Sequence, residues 1–300
     1  MEIIFESNGS TAEFKSWLQA YNAINESLLL EIDLKEQQFV AKTHTPEKTI
    51  VKFGKLSFED ANLAVKKIVG KELKEYSLDE WNAEVSNRIK IGIRGKLPMF
   101  IKVVEMFSTT DNHKIVVRFD VVEYNGATEL LAQKVEFKSD SLNMVLNTDN
   151  LDEFKYISDE VFANNISYIA NPLEFEIAPE VNKMVGTIAK TCTLPGNDKK
   201  DIIDFVCTRD ENDEWVLRAV QHNGKAYNDP DGHAYDFKMA YMSHENSGVE
   251  VVVPIVRNNF LLGTSSDSES SVITLPNDAE VGRIKVASGN FITILASVRF

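Results

Sequence analysis

Short runs of β-branched and aromatic residues, separated by turn signals, dominate the sequence and limit what the chain can fold into. Many runs alternate apolar and polar residues, which is the period of a half-buried β-strand. Asn223-Gly224 and the Asn-Asp-Pro-Asp-Gly segment at 228–232 are among the turn signals. The predicted strands are residues 2–7, 28–34, 38–42, 49–53, 88–93, 114–123, 129–137, 173–177, 202–208, 214–221, 233–242, 249–253, 272–275, 282–287 and 291–298. The chain is therefore predicted to be rich in antiparallel sheet.

Four short amphipathic helices are predicted among these strands, at residues 11–25, 96–107, 179–192 and 254–263. In the first, Phe14, Trp17 and Tyr21 recur at helical spacing and give one apolar face. Ser10 and Glu13 have the spacing of a capping box at its start. The third is predicted to begin at Pro179, since proline is common at the first position of a helix.

The helices fall two in each half of the chain, which predicts two copies of one structural unit. Their starts lie 85 residues apart in the first half and 75 in the second. The predicted fold class is α+β, with two similar β-rich domains that each carry two short helices on antiparallel sheets. The domains are predicted at 1–145 and 166–300, joined by a connector at 146–165. An insertion at about 58–87 is charged and predicted to be partly helical, through Ala61, Val65 and Ile68 and then Leu78, Trp81 and Val85.

Positive charge is concentrated in the predicted helices of an otherwise acidic chain. The whole chain carries −14, which taken alone argues against binding nucleic acid. The four helices hold six basic and three acidic residues, a net charge of +3 against −17 for the rest. The basic residues are Lys15, Lys96, Lys102, Lys183, Lys190 and Arg257. If these helices share a surface, that surface is basic and can contact phosphates; the alternative is that the lysines are ordinary solvated helix faces.

Several classes of protein are disfavoured by what the sequence lacks. No run approaches the roughly 18 apolar residues of a membrane span, and residues 1–6 do not resemble a signal peptide. Cys192 and Cys207 cannot form a disulfide framework or a zinc site, so an intracellular, reduced protein without membrane association is expected. Phosphate-binding glycine loops and hydrolase motifs are missing, so no catalytic residue, metal or cofactor is predicted.

Two hairpins carry a resemblance to a known family. Residues 29–34 (LLEIDL) and 38–42 (QFVAK) resemble an N-terminal hairpin of the two-domain sliding clamps, which include the proliferating-cell nuclear antigen and the T4-type phage clamps. Residues 282–286 (GRIKV) and 291–296 (FITILA) resemble the final hairpin of that family. The insertion at 58–87, and a tail without the proline found in the cellular clamps, favour a divergent viral or phage member.

The resemblance implies a DNA sliding clamp, a ring-shaped processivity factor without enzymatic activity. Three identical subunits would form a ring around duplex DNA with their helices inside, loaded by an ATP-dependent clamp loader and bound by DNA polymerase. It also implies a peptide-binding pocket between the connector and the C-terminal tail, with simple core packing as the alternative for the same residues. The matching positions are Leu142, Met144 and Val145 on the connector, and Ile294, Leu295, Ala296 and Val298 on the tail.

Two other functions remain open from the sequence. Asp229, Asp231, His233 and Asp236 have the spacing of a cation site and could serve a metal-dependent hydrolase, although Asn-Asp-Pro-Asp-Gly is ordinary turn chemistry. A β-rich viral tail or baseplate protein is the structural alternative. For a phage protein, the expected location is the host cytoplasm or nucleoid.

Overall fold

The computed structural model describes residues 1–7, 9–85, 87–108, 113–152, 154, 163–164, 169, 172–191, 202–222, 234–242, 248–264, 270–278 and 282–298. Its strands are β1 (Glu2–Ser7), β2 (Leu28–Asp33), β3 (Gln38–His44), β4 (Ile50–Ser57), β5 (Leu63–Val69), β6 (Glu75–Tyr76), β7 (Ile89–Ile93), β8 (Lys114–Tyr124), β9 (Ala127–Lys138), β10 (Asn143–Asn147), β11 (Leu173–Ile177), β12 (Ile202–Arg209), β13 (Trp215–His222), β14 (Ala234–Tyr241), β15 (Val251–Val256), β16 (Ser271–Leu275), β17 (Arg283–Ser288) and β18 (Phe291–Ala296). Its helices are α1 (Ala12–Asn22), α2 (Leu78–Glu84), α3 (Leu97–Ser108), α4 (Pro179–Thr191) and α5 (Arg257–Gly263), with a 3-10 turn at Lys71–Leu73.

The chain forms two compact units. The first holds residues 1–43 and 53–158, and the second holds residues 44–52 and 159–300, so strand β4 begins in the second unit and ends in the first. Helices α1 and α3 belong to the first unit, and α4 and α5 belong to the second. The predicted β-rich α+β fold class is confirmed, and α2 is a third helix in the first unit.

The first unit is built on a sheet in the order β3, β2, β7, β9, β8, β1, β5, β6, with β10 also paired to β9. Its pairings are antiparallel except for the short parallel contact between β7 and β9. The helices lie on this sheet through aromatic side chains. The ring centroids of Phe14 and Phe39 are 4.8 Å apart, and those of Phe100 and Phe137 are 5.6 Å apart. Each buried phenylalanine contributes about 1.5–3 kcal/mol, so this layer holds α1 and α3 in place.

The second unit contains strands in the order β11, β16, β17, β18 and a separate sheet in the order β14, β13, β12, β15. Phe260 of α5 packs on Phe205 of β12, with 5.3 Å between ring centroids. The predicted helix at 254–263 was wrong at its start, because Pro254 lies in strand β15 and α5 begins only at Arg257. Proline is tolerated there because β15 lies last in the order of its four-stranded sheet. A strand in that position can lack one backbone N–H without losing a hydrogen bond to a neighbouring strand.

The predicted insertion at 58–87 is part of the first unit's sheet. Residues 63–69 form strand β5, which pairs with β1, so the helix predicted from Ala61, Val65 and Ile68 was wrong. The helix predicted around Leu78 and Trp81 is present as α2.

The capping box belongs to α2. The Ser77 hydroxyl accepts from the Glu80 N–H, and the Glu80 carboxylate accepts from the Ser77 N–H at 2.8 Å. The capping box predicted at Ser10 and Glu13 is absent, since the N-cap of α1 is Thr11 and its side chain makes no cap hydrogen bond.

A buried ion cluster joins strands β2 and β3 to Arg88, the residue before β7. Lys42 Nζ lies 3.1 Å from Glu31 Oε1, and the two side chains are only 1% and 2% exposed. Arg88 approaches the other Glu31 oxygen at 3.2 Å and Asp33 at 2.8 Å. Removing one member of a buried pair leaves an uncompensated charge in the interior, which is costly.

We therefore expect Glu31→Gln to lower the free energy of unfolding by about 3 kcal/mol or more, measured by urea denaturation. Glu84→Gln is the matched control, because the Lys74–Glu84 pair is more than half exposed on both sides and should change stability by less than about 1 kcal/mol. Equal effects of the two substitutions would contradict a stabilising role for the buried cluster.

Candidate nucleic-acid interface

Helices α1 and α3 lie against each other in the first unit, and their charges partly cancel. Lys15 Nζ on α1 is 3.2 Å from Glu105 Oε1 on α3. Lys96 precedes α3, and its Nζ is 3.2 Å from Asp149 Oδ1. Two of the three lysines predicted in this region thus have a carboxylate beside them.

Lys102 is the exposed lysine at the centre of α3. Met99 and Met106, on the turns before and after it, are also exposed. The outward side of α3 is therefore a mixed surface in which one ammonium group stands among thioether side chains.

In the second unit, Lys183 and Lys190 are both exposed on α4. They are seven residues apart, close to two helical turns, so they point to the same side. Arg257 has a different position at the start of α5, where it is half-buried and its Nη1 donates to the Ala189 carbonyl at 3.2 Å. Arg257 therefore ties α5 to α4, in addition to any role in binding a ligand.

The charge of the helices can be recounted with the observed bounds. Helices α1, α3, α4 and α5 carry five basic and three acidic residues, since Lys96 falls outside α3, and their net charge is +2. The whole chain carries −14, so the remainder carries −16. The contrast between helices and remainder persists, although it is weaker than the sequence suggested.

The predicted connector residues lie at and next to strand β10 in the first unit. Leu142 is in the turn before this strand, where its carbonyl accepts from the Ser139 N–H at 2.8 Å. Met144 and Val145 are consecutive strand residues, so their side chains point to opposite faces. Val145 is 49% exposed, whereas Leu142 and Met144 are half-buried. These three residues therefore do not form one continuous wall.

The predicted tail residues divide into core and surface. Ile294 and Leu295 are buried in β18. Ala296 and Val298 are half-buried; the Ala296 N–H donates to the Thr49 carbonyl and the Val298 N–H to the Pro254 carbonyl, both at 2.9 Å. Only Ala296 and Val298 present appreciable surface to a partner.

The structure gives little support to a metal site. Asp229, Asp231 and His233 lie outside the described residues, as does Cys192. Asp236 forms a bidentate ion pair with Arg218, in which both hydrogen bonds measure 2.8 Å. No cluster of three or more potential metal-binding side chains occurs in the described part of the chain. Cys207 is buried, and burial raises the pKa of its thiol to about 11.

Sequence reasoning missed a buried lysine in the second unit. Lys52 lies on the inward face of β4 together with Ile50 and is 1% exposed. Its Nζ is 3.5 Å from the Gly263 carbonyl and 4.6 Å from the centroid of the Phe291 ring. Burial lowers the pKa of Lys52 to about 8. Its burial could have been predicted from the alternation of β4, in which Lys52 occupies a position on the apolar side of the strand.

None of the described helices is long and apolar enough to cross a membrane.

Comparison with known proteins identifies the fold. No family model matches the chain, and no curated protein does. The Helicobacter pylori beta clamp bound to a DNA ligase peptide has a TM-score of 0.59 and 12% identity, over 100% of this chain and 67% of the clamp chain. Archaeoglobus fulgidus PCNA bound to the C-terminal region of FEN-1 has a TM-score of 0.59 and 10% identity, over 99% of both chains. DNA polymerase III subunit beta from Borrelia burgdorferi has a TM-score of 0.58 and 14% identity, over 100% of this chain and 65% of that one.

The chain thus spans about two thirds of the bacterial clamp chains and nearly all of the archaeal chain. The fold is that of the sliding clamps, which confirms the predicted resemblance at the level of the fold.

The pKa of Lys52 predicts a pH dependence of stability. The ammonium form is disfavoured in the folded state, where the pKa is about 8, relative to an ordinary value of 10.5. The unfolded chain binds more protons between these two values, so the free energy of unfolding rises with pH across this window. We expect a rise of about 3 kcal/mol in total, and Lys52→Met should remove it.

Urea unfolding at several pH values from 7 to 11 measures this contribution. Lys55→Met is the control, because Lys55 is exposed on the same strand and should leave the pH profile unchanged. A profile that is the same in the Lys52→Met variant and the original chain would contradict the prediction.

Proposed function

We propose that this chain is the subunit of a DNA sliding clamp, a ring that encircles duplex DNA and acts as a processivity factor for DNA polymerase. The observation that carries the proposal is the likeness of the whole chain, including both units, to bacterial and archaeal clamps. The proposed role is mechanical and needs no catalytic residue, metal or cofactor. An intracellular location belongs to the proposal, since the DNA substrate is there.

Contact with DNA is proposed to run through the exposed helical lysines Lys102, Lys183 and Lys190. Lysine side chains attract phosphate without reading sequence, as a ring that moves along any duplex requires. The −16 carried outside the helices repels DNA and disfavours binding elsewhere on the surface. Lys15 and Lys96 are proposed to contribute less, because each has a carboxylate oxygen 3.2 Å from its ammonium group, and so is Arg257, because it is half-buried.

Ring closure is proposed to join strand β10 of one subunit to strand β14 of the next, in a homotrimer of six units. Strand β14 ends the order of its four-stranded sheet, and β10 pairs with β9 in the described residues. Both strands present exposed apolar groups, namely Val145 on β10 and Tyr235 and Tyr241 on β14. An exposed, apolar edge strand tends to pair with another strand, and a closed ring covers such edges.

Partner proteins are proposed to dock as short peptides. The H. pylori clamp is bound to a DNA ligase peptide, and the A. fulgidus clamp to the C-terminal region of FEN-1. For this chain, the residues available for such contacts are Leu142 and Met144 in the first unit, and Ala296 and Val298 in the second. DNA polymerase and an ATP-dependent clamp loader are the proposed partners, since a closed ring must be opened to admit DNA.

The DNA contact predicts a charge-specific loss of binding. The combined Lys102→Glu and Lys183→Glu substitution should weaken binding to a duplex oligonucleotide at least about tenfold at 50 mM salt and reduce its dependence on salt. Fluorescence anisotropy across a salt series measures both effects. Lys35→Glu combined with Lys71→Glu is the control, because it makes the same charge change at exposed lysines outside the helices.

Glu105→Gln should act in the opposite direction, since it releases Lys15 from its ion pair and increases the number of phosphate contacts. If the helical and control pairs weaken binding equally, the effect is one of net charge and the assignment of the helices is wrong.

The proposed ring predicts the mass of the assembly and its disruption by a substitution on strand β10. Light scattering should give about three times the 33.8 kDa of one chain, and electron microscopy should show a closed ring. Val145→Lys should shift the assembly to monomers, because a lysine on the edge strand blocks pairing. Val252→Lys is the control, since Val252 is exposed on β15, where the Pro254 carbonyl already accepts from Val298. A Val145→Lys variant that remains trimeric would rule out β10 as the contact.

A further inference from the structure

The face of the first unit's sheet that points away from helix α3 carries a group of basic side chains. Phe137 of β9 packs on Phe100 of α3, so its neighbours Glu136 and Lys138 point to the opposite face. Residues in register on β8 share that face, because paired residues of antiparallel strands point the same way. The basic patch, as it is called below, consists of Lys114 and Arg118 on β8 and Lys134 and Lys138 on β9.

One carboxylate contacts three of these four cations. Arg118 Nε and Lys134 Nζ lie 3.0 and 3.2 Å from Glu136 Oε1, and Lys138 Nζ lies 2.6 Å from the other oxygen. The Glu136 side chain is only 6% exposed, whereas the three cations reach solvent. The hydrogen bond from Lys138 holds the pKa of Glu136 below its ordinary value. Three cations around one ionised carboxylate leave two positive charges in excess at this point.

The fourth cation, Lys114, has a weaker countercharge. Its Nζ lies 3.7 Å from Glu6 on β1, and Lys66 lies closer to the same carboxylate, at 3.3 Å. Glu2, also on β1, is 3.9 Å from Arg118 Nε. Among the residues that the structure describes, no further carboxylate lies within 4.0 Å of the basic patch. The patch therefore keeps a positive excess, although the whole chain carries −14.

An apolar row separates two positive ends within the patch. The two cations on each strand are four residues apart, which puts the ends about 13 Å from each other. Between the ends, Val116 of β8 lies in register with Glu136 of β9, and Glu136 with Val145 of β10. Val145 is exposed and Val116 is buried. A ligand on this face therefore meets positive charge at both ends and valine side chains in the middle.

We infer that the basic patch binds an extended acidic segment of a partner protein, with carboxylates four residues apart and an apolar side chain midway between them. Alternate side chains of an extended chain point to the same side, so this spacing matches the two positive ends. Complementary charge of this kind gives a partner its orientation and its specificity. The inference is independent of the proposed sliding-clamp function.

The same arrangement disfavours nucleic acid as the occupant. A nucleic-acid strand carries a negative charge at every nucleotide, so a strand that spans the patch would place phosphate over its middle row. That row holds Val116, Val145 and the carboxylate of Glu136, which offer phosphate no cation of their own. An apolar side chain fits the same position without loss of a charge contact.

A labelled, end-capped peptide Gly-Glu-Ser-Leu-Ser-Glu-Gly tests the patch by fluorescence anisotropy with the full-length chain. We expect saturable binding at low salt that weakens as salt is added, because the contacts are exposed to solvent. A peptide with glutamine in place of both glutamates should bind at least about fivefold more weakly. A peptide with serine in place of leucine should also bind more weakly, since it loses the apolar contact.

The combined Lys114→Glu and Lys134→Glu substitution reverses one charge at each end and should weaken peptide binding at least about fivefold. The other two cations of the patch remain beside Glu136, so this carboxylate keeps ion pairs. Lys35→Glu combined with Lys71→Glu is the matched control, because it makes the same charge change at exposed lysines elsewhere in the first unit. Lys134→Gln alone is the milder variant if the double substitution shifts the unfolding midpoint.

Four outcomes would overturn the inference. The first is an absence of saturable peptide binding, and the second is equal affinity in the patch and control variants. The third is displacement of the peptide by a duplex oligonucleotide that the patch variant no longer binds, which would make the patch a phosphate site. The fourth is an assembly mass, measured by light scattering, that falls in the patch variant alone without any peptide binding to the original chain, which would make a second copy of the chain the occupant.

Discussion

The burial of one side of each short helix against a sheet determines which residues the helices can present outward. In the first unit, Phe14 and Phe100 anchor α1 and α3 on the aromatic side chains of β3 and β9. This attachment fixes the rotation of both helices, and it leaves Lys102 on the solvent side. The second unit uses Phe260 in the same way for α5. The surface that the helices present in this fold therefore follows from core packing.

Contacts within the fold reduce the positive charge that the helices of this acidic protein present to a ligand. Lys15, Lys96 and Arg257 were counted with the other basic residues, yet each is engaged with a group on a neighbouring element. Such contacts depend on residues far away in the sequence, as for Lys15 and Glu105 or Arg257 and Ala189. Sequence alone gives the sum of the charges, whereas their availability depends on the tertiary fold.

Much of the fold could be predicted from local pattern, because alternation and helical spacing report directly on burial. Strand β1 and the apolar face of α1 were predicted correctly for this reason. The errors arose where tertiary context decides the outcome. Residues 63–69 form strand β5 because they pair with β1 through backbone hydrogen bonds. Pro254 is tolerated in β15 because this strand lies last in the order of its sheet. The contacts of Lys52 could not be predicted, because its neighbours Gly263 and Phe291 are more than 200 residues away.

Under the proposed function, the ion pairs of Lys15 and Lys96 would affect how a ring moves along a duplex. A cation held close to DNA meets a periodic potential with a minimum at each phosphate, and deep minima slow translation. Each of these two lysines has a carboxylate oxygen 3.2 Å away, which makes the minima shallower. A ring made of this chain would therefore experience low friction, and topological linkage to the duplex, more than adhesion, would keep it there.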